Sequence, residues 1–106
     1  MLSLFEKAAE LERQHVAFAM VTITRSVGST PRSQAKMIVL ADGTTFGTVG
    51  GGSSEHRAIE RSRECIAEGR NDTIDCSLTV GEGHDCGGAL QMFIEVVPPA
   101  FRLILI

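Results

Sequence analysis

Apolar positions recur at helical spacing near the start of the chain, where Leu4, Ala8 and Leu11 line one face and Phe5 and Ala9 flank it. Glu6, Lys7, Glu10 and Arg13 fall largely elsewhere. Ser3 precedes the run and Glu6 follows three residues later. That is capping-box spacing: the serine hydroxyl accepts a first-turn amide while the glutamate reaches back. The pattern predicts an amphipathic packing helix over residues 3–14. Residues 16–25 show no polar face. Val16, Phe18 and Met20 alternate with Ala17, Ala19, Val21 and Ile23, as in a central strand covered on both sides. A second strand is predicted at Lys36–Leu40. Asp42-Gly43 is a hairpin signal, and residues 44–49 are its return.

Residues 54–69 predict a second helix. Ala58, Ile59, Cys65 and Ile66 supply its apolar positions, Ser53 or Ser54 its N-cap, and Gly69 its C-terminal stop. Its charges, Glu55, Arg57, Glu60, Arg61, Arg63, Glu64 and Glu68, read as a solvated face. Strands follow over residues 73–80 and 90–97. Pro98-Pro99 then ends the last strand, because neither proline donates a ladder hydrogen bond. The six residues after Ala100 are apolar apart from Arg102 and read as the first strand of a further domain behind a proline linker. The expected class is α/β or α+β: a mixed sheet with two main helices.

Composition narrows the field. The 106 residues suit one domain, and a chain this short gains from association, which leaves a homo-oligomer open. The formal net charge of -3 offers no net positive field for nucleic acid. No apolar run approaches the ~20 residues of a membrane-spanning helix. The N-terminus lacks a basic segment followed by an apolar core, so no secretory signal is read there and a cytoplasmic location is expected. Three cysteines, Cys65, Cys76 and Cys86, form no C-x-x-C pair. An odd count argues against a disulfide framework, and His84 with Cys86 makes only half a zinc site, so no metal site is expected.

Three loops carry chemistry suited to an anion. The first, over residues 26–34, holds Ser29, Thr30 and the Arg32 guanidinium, a fork that fits phosphate or carboxylate. In the second, Gly50, Gly51 and Gly52 lie between a strand and a helix start, where backbone amides can approach a ligand. It is neither a Walker loop nor a dinucleotide fingerprint. The third, over residues 81–88, sets Cys86 beside Gly87 and Gly88, where a thiol is approachable. Each also has a plain reading: a polar connection, a tight turn, a small buried hydrophobe.

Taken in order, these segments resemble the XdhC/CoxI family, accessory factors for molybdenum hydroxylases such as xanthine dehydrogenase. Gly28-Ser29-Thr30-Pro31-Arg32 with Lys36-Met37 is similar to the family's first block. Asp42-Gly43 with Gly47-Thr48-Val49-Gly50-Gly51-Gly52 and Glu55 is similar to its second, and Cys86-Gly87-Gly88 with Phe93-Ile94-Glu95 to its third. The resemblance runs over residues 18–97. Ala35, Ser53 and Ser54 depart from the pattern, and Cys86 is left as the candidate thiol. The resemblance implies an N-terminal domain, residues 1–97, and a linker, 98–106, that opens a missing Rossmann-type domain.

It also implies a chaperone that binds molybdenum cofactor as cargo, a maturation role rather than turnover. Such a protein supports sulfuration of the molybdopterin with a cysteine desulfurase and insertion into the hydroxylase. The cofactor-binding residues it points to are Ser29, Thr30, Arg32, Gly50, Gly51, Gly52, Glu55, Cys86, Gly87 and Gly88. Glu55 either accepts hydrogen bonds from the pterin or complements the helix dipole. Two alternatives stay open: a phosphate-ligand enzyme with Cys86 as nucleophile, for which no activating base is identified, and a protein-docking module without cofactor.

Overall fold

The computed structural model describes residues 3–27, 35–77 and 89–99. Helix α1 spans Leu4–Arg13. Ser3 caps it: its Oγ accepts the Glu6 amide at 3.1 Å and its own amide donates to Glu6 Oε1 at 2.8 Å, so two orphan donors are satisfied reciprocally. The helix ends through His15, held at φ 60°, with the Val16 amide donating back to the Leu11 carbonyl at 3.0 Å. Strands follow at Phe18–Val27 (β1), Lys36–Leu40 (β2) and Thr45–Gly47 (β3). Helix α2 spans Gly52–Glu68, and β4 (Asp72–Ser77) and β5 (Ala89–Val97) complete the chain.

The β2–β3 hairpin turns at Asp42 and Gly43. The Gly43 amide donates to Leu40 O at 2.9 Å, the Thr44 amide donates to Asp42 Oδ1 at 2.9 Å, and Gly43 takes φ 94°. A non-glycine residue would be strained there. Gly69 ends α2 at φ 70° with its amide on Cys65 O at 2.7 Å. Strand β5 stops at Val97, immediately before Pro98 and Pro99.

The strands form one sheet in the order β3-β2-β1-β5-β4, with β1 inside as its two apolar faces require. Ala19, Val21 and Ile23 join Ala58 and Cys65 of α2 in the larger core cluster. Phe18 and Met20 join Leu11, Ala8 and Leu4 of α1 in the smaller one. Burying side chains of this size stabilises by about 1.5–3 kcal/mol each.

Two expectations are corrected. Every pairing in the sheet is antiparallel, where a mixed sheet was expected. The β3-α2-β4 segment does carry two strands running the same way, but three antiparallel strands stand between them, so no parallel pair forms. The N-cap of α2 is Gly51, not Ser53 or Ser54; both serines lie inside the first turn. Residues 101–106 lie outside the described residues.

Candidate functional site

Because the pairings are antiparallel, one end of the sheet gathers the exits of β1, β3 and β4 and the entries of β2 and β5. Val27 pairs with Ala89, Ala89 with Ser77, and Met37 with Gly47. All three candidate loops therefore leave strands that run the same way, but not at one level: Val27, Ala89 and Ser77 stand together, whereas Gly47 stops level with Val21, six residues short of Val27. Ser29, Thr30, Arg32, Cys86, Gly87 and Gly88 lie outside the described residues. Gly50, Gly51, Gly52 and Glu55 are described, and the structure brings them together.

Four glycines in six residues take positive φ: Gly47 83°, Gly50 118°, Gly51 78° and Gly52 76°. A Cβ built on Gly50, Gly51 or Gly52 would meet nothing within 4 Å. These three glycines are therefore demanded by backbone conformation, not by crowding. What the conformation achieves is convergence. The amides of Val49 and Gly51 donate to the same oxygen, Glu55 Oε1, at 3.1 and 2.9 Å. The Thr48 hydroxyl donates to it as well, and Thr48 Oγ1 accepts the Gly50 amide at 3.0 Å.

Gly51 offers no side chain to cap α2; Glu55 of the first turn instead reaches back to amides that precede the helix, those of Val49 and Gly51. Burial of Glu55 pushes its carboxyl up, but the bonds from Thr48, Gly51 and Val49 outweigh burial and hold it below the usual carboxylate range. The plain role considered for Glu55, an anion at the positive end of α2, is what its Oε1 performs. The geometry is an anion nest already filled by the chain's own carboxylate.

The site end of the sheet also carries Arg25, which the sequence pattern does not single out. A bulge falls between Ile23 and Arg25, leaving Thr24 out of the ladder. Ile23 pairs with buried Met92 on the α2 side. Without the extra residue Arg25 would fall on that covered face. Instead it pairs with Gln91 and is exposed, which sets a cation at the loop end of the sheet. A bulge leaves no mark in alternation that is apolar on both faces. On the same face Thr24 Oγ1 donates to Gln91 O at 3.1 Å, and Gln91 Nε2 donates to Asp75 Oδ1 at 3.2 Å.

Arg57, read as part of a solvated face, donates to Asp75 O at 3.0 Å and lies 3.8 Å from Cys76 Sγ, tying the first half of α2 to β4. Cys65 and Cys76 are both buried, and burial pushes the Cys65 thiol up, so it is a poor nucleophile. Among the described residues no group of three metal-ligating side chains occurs.

Residues 11–77 match the model of the XdhC and CoxI family. The chain belongs to the XdhC and CoxI family. The matched interval takes in the first two of the three motif blocks and stops before the third. This XdhC/CoxI chain is also 41% identical over 109 residues to the uncharacterized protein YqeB of Escherichia coli (strain K12), covering 99% of the chain and 20% of YqeB. A crystal structure of a xanthine dehydrogenase from Bacillus halodurans superimposes with a TM-score of 0.75 at 23% identity, over 91% of this XdhC/CoxI chain and 31% of that one. At that identity the likeness shows the fold. The chain spans about a fifth of YqeB and under a third of the Bacillus protein.

Proposed function

We propose that this XdhC/CoxI chain is a domain of an accessory factor that serves a molybdenum hydroxylase of the xanthine dehydrogenase type. It binds molybdenum cofactor as cargo and supports its sulfuration, with a cysteine desulfurase, and its insertion. It acts in maturation, not turnover. The observation that carries this reading is that all three motif loops leave strands running the same way, two of them from one level, in a chain of this family. The open space around Gly50, Gly51 and Gly52, where an added Cβ would meet nothing within 4 Å, leaves room for a cargo beside the start of α2. Arg32 would hold the anionic end, and Cys86 would stand on the sulfur route.

Co-expression of the longer natural protein in a molybdopterin-producing host, followed by molybdenum and pterin fluorescence assays, tests the proposal. Pterin and metal should co-purify. Arg32→Ala should weaken retention by about 1–3 kcal/mol, the scale of a charge-assisted hydrogen bond. Purification free of pterin, with full maturation of the hydroxylase, would instead favour docking without cofactor. One observation speaks for that second reading: the Val49 and Gly51 amides already serve Glu55.

A further inference from the structure

The α2 side of the sheet is closed by a continuous core, but the opposite side is not. Among the described residues α1 is the helix on that side, and it packs over β2 and against Phe18 and Met20 of β1. The sheet continues past it through β5 to β4. Three strands at ~4.8 Å spacing leave a width of about 10 Å, that of one further helix. An open groove of about 340 Å³ lies at this step. Phe5 and Ala9 of α1, Met20 of β1 and Val97 of β5 line it. Phe5 is 66% exposed, and half-buried Phe93 lies on the same face of the sheet, paired with Thr22. The groove also carries charge. Glu12 of α1 and Glu95 of β5 stand at it, and among the described residues neither carboxylate has an ion-pair partner. Lys36, the other charged group there, donates to Thr22 Oγ1 at 3.4 Å, so the net charge of the groove is negative.

We propose that this groove docks an amphipathic helix of another protein, one whose narrow apolar stripe is bordered by Lys or Arg. The helix lies beside α1, over β1 and β5. Its stripe covers Phe5, Met20 and Val97, and its cations meet Glu12 on α1 and Glu95 on β5. Ala8 and Ala9 of α1 also line the groove, and side chains this small let two helix axes approach to about 8–10 Å. The apolar stripe supplies the buried area, while the exposed charge pairs select the partner and fix its register. A second copy of this chain does not fit the seat. Its α1 carries Glu6, Glu10 and Glu12, has Lys7 paired to Glu10, and packs its apolar stripe on its own sheet. Its α2 has Arg61 and Arg63 paired to its own acids. The proposal is independent of the molybdenum reading.

The probe is a synthetic helical peptide of leucine and lysine, with leucines at i, i+3, i+4 and i+7 spacing, titrated into the unsubstituted chain and followed by amide and methyl chemical shifts. The shifts centre on Phe5, Met20, Glu95 and Val97, and the affinity falls as salt is added. The same peptide with glutamate in place of each lysine binds many-fold more weakly. Glu12→Gln combined with Glu95→Gln weakens the lysine peptide several-fold and flattens its salt dependence. Phe5→Ser weakens it further, and because Phe5 is exposed that variant keeps the core intact. Shifts centred on α2 or another surface overturn the proposal. So do equal binding of the two peptides, unchanged binding in the double glutamine variant, or no shift up to millimolar peptide. Groove shifts that appear on concentrating the chain without peptide also overturn it, and assign the groove to a second copy.

Discussion

Gly47 lies so close to Lys36 that a Cβ added to the glycine would stand 2.9 Å from the Lys36 carbonyl oxygen. Leu4 of α1 closes on the same point, with Cδ1 at 3.3 Å. The position thus ties β2, β3 and α1 together, and Gly47 holds it at φ 83°. Gly47→Ala should cost about 2–4 kcal/mol, the left-handed backbone term plus a clash with backbone that cannot swing aside. Gly52→Ala meets no neighbour and, at φ 76°, should cost about 1–2 kcal/mol from conformation alone. Urea midpoints of the two variants, compared at equal slope, check the order.

Glu55→Ala strips the partner from two backbone amides and a hydroxyl, one of the amides belonging to buried Val49. A loss of about 1–2 kcal/mol is expected. Glu55→Gln keeps an acceptor and should lose less. The folded-state pKa of Glu55 is depressed. Its contribution is therefore complete above the ordinary carboxylate pKa and is lost as pH falls through the lower, folded value. Stability of the parent against pH should drop in that acidic window, and the Gln variant should lack that part of the drop.

Ser62 is fully buried in the middle of α2, and its Oγ has no hydrogen-bond partner. A buried hydroxyl without a partner is destabilising, and alanine is the better helix former. Ser62→Ala should therefore raise stability, by up to about 1 kcal/mol, as read from the thermal midpoint. A drop in that midpoint would mean that the hydroxyl has a role the geometry misses.

Thiol labelling separates the three cysteines. Cys65 and Cys76 are buried, so a maleimide should reach them only on unfolding. One label per chain is expected under native conditions, and none after Cys86→Ser. Cys65→Ser should lower stability, whereas Cys86→Ser should leave the fold intact and impair cofactor retention or sulfuration. Native labelling at Cys65, or full hydroxylase maturation with Cys86→Ser, would remove Cys86 from the sulfur route.

Much of this architecture was legible because it is written locally. The Ser3–Glu6 box, the alternation from Phe18 to Ile23 and the prolines after Val97 each act within a few residues. The face of α2 was read less well. Its buried stripe is Ser54, Ala58, Ser62 and Cys65, small residues that let the helix approach the sheet, while Ile59 and Ile66 sit at the margin of the core. Hydrophobicity ranks the isoleucines first, whereas close approach selects by size. Glu55 escaped a firm reading because a carboxylate that reaches back to the Val49 and Gly51 amides requires glycine dihedrals that no pattern displays. The bulge at Thr24 and the strand order are products of pairing, which local sequence does not encode.

The all-antiparallel pairing also separates the molecule's business end from its exit. The motif loops after β1 and β4 spring from one end of the sheet, and the chain departs at the other, after Val97. At ~3.4 Å per residue, the nine residues of β5 put these two places about 25–30 Å apart. Gly47, by contrast, stands level with Met37, Val21 and Ile94, so the chain leaves β3 for the Gly50–Glu55 nest only three residues short of the level of Val97. The strand ends at Val27 and Ser77 are thus set apart from the exit at Val97 by the length of a strand, whereas the glycine turn is set apart from it chiefly by the width of the strands between β3 and β5.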